Sequence, residues 1–141
     1  MSSLIEQHLT RLMEDLELPP VPPKDEAKAF QLQFGPEMSV TLKEVDGQIF
    51  LFSKIGALPQ QKREELFILL MKANLLGQGT GGSAIGLDPA EKFLTLSLAI
   101  PYDMNYKAFR ETIEDFTNFT DYWRKELIRH AEEAEKSLFG Q

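Results

Sequence analysis

Apolar positions repeat along this chain with two periods, and the switches between them lay out eight elements. Ile5, Leu9, Leu12 and Leu16 recur at three- and four-residue steps, with Leu4 and Met13 widening the stripe, which predicts an amphipathic helix over Ser2–Leu18. Ser2 or Ser3 can cap it, and Glu6 stands three residues after Ser3 as in a capping box. Leu18-Pro-Pro-Val-Pro-Pro23 ends the helix, because proline lacks the amide hydrogen and fixes φ, so residues 19–23 form a stiff extended link. The period then becomes two. Phe30, Leu32 and Phe34 alternate with Gln31 and Gln33, and Met38, Val40 and Leu42 alternate with Ser39, Thr41 and Lys43. Gly35-Pro36-Glu37 turns between these strands, and Asp46-Gly47 supplies the residues of a type I′ hairpin. Gln48–Ile55 carries Ile49, Phe50, Leu51 and Phe52 on both faces, which predicts a central strand covered above and below.

The next helix, Arg63–Leu76, breaks the amphipathic rule. Leu66, Phe67, Ile68, Leu69, Leu70, Met71, Leu75 and Leu76 leave little polar surface around it. A helix apolar nearly all round must be covered on more than one side. A chain this short offers one sheet, so the second cover is inferred to be another copy of the protein; a central core helix in a monomer is the alternative. Gly77, Gly79 and Gly82 match G-x-G-x-x-G letter for letter. The phosphate-binding use of that string needs a strand before it and a helix after it, and here the order is reversed. Gly77 is therefore expected to be a left-handed helix cap, followed by a flexible lead into a short strand, Ser83–Leu87. Asp88-Pro-Ala-Glu turns into a fifth strand, Phe93–Ile100, with Leu94, Leu96, Leu98 and Ile100 on one side, and Pro101 stops it. A last helix runs from Asn105 to about Phe139. Its aromatic half, through Tyr106, Phe109, Ile113, Phe116 and Tyr122 or Trp123, is expected on the sheet, and its charged tail, residues 125–141, in water or on a partner helix.

The order helix, three strands, helix, two strands, helix predicts one α+β domain over 1–141, an antiparallel sheet packed against helices. Acidic residues outnumber basic ones 22 to 15, giving a net charge of −7, which argues against nucleic acid as a partner. The absence of cysteine excludes disulfides and thiolate chemistry. No basic leader or membrane-spanning run is seen, so a soluble protein of an internal compartment is expected. Chemistry is sparse. His8 and His130 are read as lying on polar helix faces, outside any H-E-x-x-H pair, and no serine sits in a G-x-S-x-G elbow. Glu64-Glu65 and Glu132-Glu133 read as solvated helix faces. No catalytic, metal or cofactor site is expected, and the protein is read as non-enzymatic.

One stretch is more specific. Asn74, Leu75, Leu76 and Gly77, then a glycine-rich break, then Ile85, Gly86, Leu87 and Asp88, then Leu94, Leu96 and Leu98 with Pro101, resembles the class I chaperones of bacterial type III secretion. The element order, size, acidic charge and apolar second helix fit the same family, and the resemblance extends to about Leu127; the Pro-rich link, the long Gly-rich break and the charged tail depart from it. It implies a homodimer in the bacterial cytoplasm that holds the N-terminal chaperone-binding segment of secreted virulence effectors non-globular and soluble for secretion. A secretion ATPase or sorting component is a further candidate partner; nucleic acid, membrane and cofactors are not. The resemblance suggests that Ile5, Leu9, Leu12 and Leu16, with Phe30, Leu32 and Phe34, line an effector groove, although the same residues could simply be core. Leu66, Phe67, Leu70, Met71 and Leu75, with Ala84 and Ile85, are assigned to the dimer interface. A regulatory adaptor of the same fold, binding a transcription or secretion-apparatus component, is the alternative. A small α+β enzyme is a distant third, for want of a nucleophile and metal ligands.

Overall fold

A computed structural model describes residues 3–138, with side chains through Lys136. Its elements are α1 (Leu4–Asp15), β1 (Ala29–Gln33), β2 (Ser39–Val45), β3 (Gln48–Ala57), α2 (Arg63–Asn74), β4 (Ala84–Leu87), β5 (Phe93–Pro101) and α3 (Tyr106–Leu138), with a single 3₁₀ turn at Leu75–Gly77. This is the predicted order. All strand pairs are antiparallel, and the spatial order is β1-β2-β3-β5-β4. After the crossover through α2, β5 pairs with β3, which is the central strand, and β4 becomes an edge.

Local chemistry sets the boundaries. Ser3 Oγ accepts the amide of Glu6 at 3.2 Å and caps α1, while Ser2 lies outside the described residues. The helix stops earlier than its apolar stripe suggests. Glu17 turns left-handed (φ 55°) and the amide of Leu18 reaches back to the Met13 carbonyl at 2.9 Å, a Schellman-like stop just before the prolines. At the β2–β3 turn Asp46 and Gly47 both take positive φ, 50° and 78°, as a type I′ hairpin requires.

One hydrophobic cluster joins the inner face of the sheet to the helices. Val40, Leu42, Ile49, Leu51 and Leu96 are fully buried against Ile5, Leu9 and Leu12 of α1 and Phe109, Ile113, Phe116 and Trp123 of α3. Burying side chains of this size contributes about 1.5–3 kcal/mol each before conformational entropy is set against it. Polar contacts fix how α1 meets α3. Tyr106 Oη donates to Asp15 at 2.6 Å and Arg110 pairs with the same carboxylate at 3.2 Å. Burial, and then the bond to Asp15, push the Tyr106 phenol above its usual pKa.

Three expectations are corrected. Phe50 and Phe52, on the outer face of β3, are 41% and 39% exposed, so that strand is covered on one side only. His8 is not on a polar face. It is buried, with Nε2 2.8 Å from the Met104 carbonyl and its ring stacked on Phe109 at 5.3 Å. Nor does His130 lie wholly in solvent: it is half-buried, and its Nε2 has no hydrogen-bond partner among the described residues. On α3, Trp123 rather than Tyr122 faces the core, and Tyr122 is exposed.

Candidate functional site

The two edges of the sheet differ in how their backbone groups are occupied. In an antiparallel strand each residue presents its N–H and C=O to the same side, and successive residues alternate sides. On β4, Ile85 faces outward, and the Asn74 side chain takes both of its groups: Oδ1 accepts the Ile85 amide at 2.8 Å and Nδ2 donates to its carbonyl at 3.0 Å. Two residues earlier, Ser83 is engaged from the same side by the Thr80 hydroxyl and carbonyl. Asn74 and Thr80 thus stand where a sixth strand would pair.

The β1 edge begins in the same way and then opens. The Asp25 carboxylate accepts the Ala29 amide at 3.1 Å, and the Asp25 amide donates to the Ala29 carbonyl at 3.0 Å. The Ala29 amide, and then the Gln31 side chain, hold the Asp25 carboxyl below the usual carboxylate range. By alternation the outward backbone groups beyond Ala29 are those of Gln31 and Gln33, both exposed. Nothing in the described chain pairs with them. An unpaired edge of this kind is a template for strand addition.

Beside that edge lies a cleft of about 380 Å³ between α1 and the Pro-rich link. Leu9, Met13, Leu18, Val21 and Phe30 make its apolar lining, Pro20, Pro22 and Pro23 its far wall, and Glu6, Thr10 and Glu14 its α1 rim. The prolines keep the link extended and standing off the helix, which is why the space does not collapse.

The opposite end of the molecule carries an uncovered apolar helix face. Leu66, Leu70 and Ala73 of α2 are buried in the core, whereas Met71 and Leu75 are 73% and 60% exposed and Leu76, at φ 53°, is 88% exposed. The glycine-rich break beyond it is packed rather than flexible. Gly77 is left-handed as expected, at φ 70°. A Cβ on Gly79 would lie 2.8 Å from that of Ala73, and one on Gly81 would run into the Phe119 ring. Trp123 Nε1 donates to the Gly79 carbonyl at 2.8 Å, and Thr80 is wholly buried. Glycines here permit close approach of α2 and α3 to the loop.

The sequence-proposed site residues fall into two sets. Ile5, Leu9, Leu12 and Leu32 are core, with Leu9 also reaching the cleft; Phe30 is buried at its lining, and Leu16 and Phe34 keep accessible surface. Of the interface residues, Leu66, Leu70 and Ile85 are buried within their own chain, Phe67 is half-buried, and Met71, Leu75 and Ala84 are exposed. Sequence reasoning missed the edge-capping side chains Asn74, Thr80 and Asp25. A polar residue four positions before a strand, as Asp25 stands to Ala29, was the available signal for one of them. Among the described residues no group of three or more His, Asp or Glu side chains is placed to hold a metal, and no helix is long and apolar enough to cross a membrane.

Residues 7–124 match the model of the Tir chaperone protein (CesT) family. A Chlamydia pneumoniae protein, CPj0713/CpB0740, is 35% identical over 86 residues, covering 60% of this chain and 65% of that protein's length. Among solved structures, the ExsC–ExsE complex aligns with a TM-score of 0.69 at 17% identity, covering 86% of this chain and 91% of the other. The HopA1–SchA chaperone–effector complex aligns at 0.66 and 15% identity, covering 86% and 93%. The ExoU–SpcU complex from the type III secretion system of Pseudomonas aeruginosa aligns at 0.66 and 13%, covering 89% and 96%. These structural likenesses show the fold, and the family match places the chain: it belongs to the Tir chaperone protein (CesT) family.

Proposed function

We propose that this member of the CesT family is a homodimeric, non-enzymatic chaperone of the bacterial cytoplasm, which holds the N-terminal segment of one or more secreted effectors non-globular and soluble for export. The observation that carries the proposal is the pairing of one open sheet edge with the apolar cleft beside it. A disordered segment adds as a strand along Gln31 and Gln33, and its alternate apolar side chains enter the cleft and the surface around Leu16 and Phe34. Leu9 and Phe30 contact it from the lining, and Ile5, Leu12 and Leu32 hold that wall in place from the core. Backbone pairing gives affinity without a folded ligand, so a chain held this way stays extended.

The second copy covers the open face of α2. Phe67, Met71 and Leu75 lie four residues apart on that face, with Ile68 beside them and Ala84 at the neighbouring strand. A secretion ATPase or sorting component is a later partner of the loaded dimer. The experiment is light scattering on the purified chain, alone and after co-expression with N-terminal segments of secreted proteins from its own genome. A species of twice the 16.1 kDa chain mass is expected for the chain alone, and a heavier one that contains the segment after co-expression. A monomer would remove the dimer, and a dimer that captures only a regulator or an apparatus component would make the chain an adaptor.

A further inference from the structure

The cleft beside β1 has one charged wall and one neutral wall. Along α1 its rim is formed by Glu6, Thr10 and Glu14, at i, i+4 and i+8 on one helix face. Across from them the link contributes only Pro20, Val21, Pro22 and Pro23, which carry no charge. Neither Glu6 nor Glu14 forms an ion pair among the described residues. The acidic neighbour Asp15 is taken up by Tyr106 and Arg110. Of the nearby cations, Arg11 lies 4.1 Å from the Tyr106 ring centroid and Lys24 lies over Phe30 at 5.5 Å, and neither pairs with Glu6 or Glu14. The two rim carboxylates are therefore free to meet an incoming charge, above an apolar floor made by Leu9, Met13, Leu18, Val21 and Phe30.

Their spacing sets a pattern. Eight helical residues rise about 12 Å. In an extended strand, residues i and i+4 are about 13 Å apart and share a face with i+2. We propose that the cleft selects extended segments of the form basic–x–apolar–x–basic, the apolar side chain entering between α1 and the link while the two flanking Lys or Arg residues meet Glu6 and Glu14. This rests on the assignment of the cleft to segment capture and adds to it the chemistry of the segment. Fields from rim charges govern selection and encounter more than total affinity, so acidic-flanked segments of equal hydrophobicity are rejected.

The test is to pan a displayed library of random peptides on the full chain and on a Glu6→Lys/Glu14→Lys variant, then to measure synthetic versions of the enriched peptides by fluorescence polarisation. The native chain is expected to enrich basic–x–apolar–x–basic. Those peptides should bind the charge-reversed variant at least about tenfold more weakly, and the gap should narrow as salt rises. A neutral Glu6→Gln/Glu14→Gln variant should fall between the two, and its melting temperature checks that the fold is intact. Enrichment of apolar peptides without a charge preference, or equal binding to all three chains, would overturn the pattern. In that case, continued capture of secreted segments in co-expression would leave the chaperone assignment standing. No enrichment on the native chain also overturns the pattern, and co-expression then decides separately whether the cleft captures segments at all.

Discussion

The β1–α1 side of the molecule and the β4–α2 side carry comparable apolar material and spend it differently. On the β1 side the helix buries Ile5, Leu9 and Leu12 of its stripe, yet the strand leaves Gln31 and Gln33 unpaired and a cleft open beside them. On the β4 side the strand is closed by Asn74 and Thr80, yet the helix leaves Met71, Leu75 and Leu76 bare. The first arrangement suits a ligand without structure of its own, because backbone groups accept any extended chain. The second suits a rigid, self-complementary surface, because side chains on a helix fit only a matching shape. Closing β4 also prevents one sheet from growing through both edges, a hazard that open strands otherwise carry.

The largest effect should follow from charging the α2 face. Met71→Glu with Leu75→Glu is expected to weaken self-association by about a hundredfold or more, read by sedimentation velocity, while the melting temperature of the monomer is unchanged, because both side chains are already solvent-exposed. Next come the open edge amides. Gln33→Pro removes an outward N–H without touching the bonds to β2, whereas Gln31→Pro also deletes the side-chain bonds to Thr41 and Asp25; either should reduce segment capture by about tenfold in a pull-down. A variant that captured segments normally would break the contrast between the edges. Removing the β4 closure with Asn74→Ala should cost about 1–3 kcal/mol in urea unfolding, since the Ile85 amide and carbonyl lose their partners together. The smallest effect is acid-dependent. The Asp25 carboxyl titrates below its ordinary 3.8, so its cap on Ala29 is fully formed above that pH and is lost as the pH falls through the lowered value. Exchange of the Ala29 amide, corrected for its intrinsic rate, should therefore quicken as the pH falls well below 3.8, relative to exchange above it, and Asp25→Ala should abolish that difference.

What could be read from the chain was what depends on neighbours in sequence. The Ile5, Leu9 and Leu12 stripe, the Asp46-Gly47 hairpin and the alternation of β1 and β2 all arise from local periodicity or turn chemistry, and each appears where expected. Contacts between distant residues could not be read so. Asn74 was legible as part of a family-like run, but its bonds to Ile85 span eleven residues and exist only once α2 lies beside β4. The polar-face reading of His8 fails because the Met104 carbonyl beside its Nε2 comes from a residue distant in sequence. The Gly-rich break looked flexible by composition, whereas its glycines admit Ala73 and Phe119 at close range. The groove was only half legible for a related reason: helical spacing marks Ile5 and Leu12 as apolar, and apolar residues facing a core or a ligand are spaced alike. The link and Leu18, which make the cleft, showed only as a connector.

The central claim is that β1 is the edge on which a captured segment lies. Amide hydrogen exchange, resolved by residue and compared between the free chain and its co-purified complex, tests it directly. New protection is expected at Gln31 and Gln33, with the outward amide of Leu87 on β4 unchanged. Protection that appears at Leu87 instead, or a complex that leaves Gln31 and Gln33 exchanging as in the free chain, would contradict it.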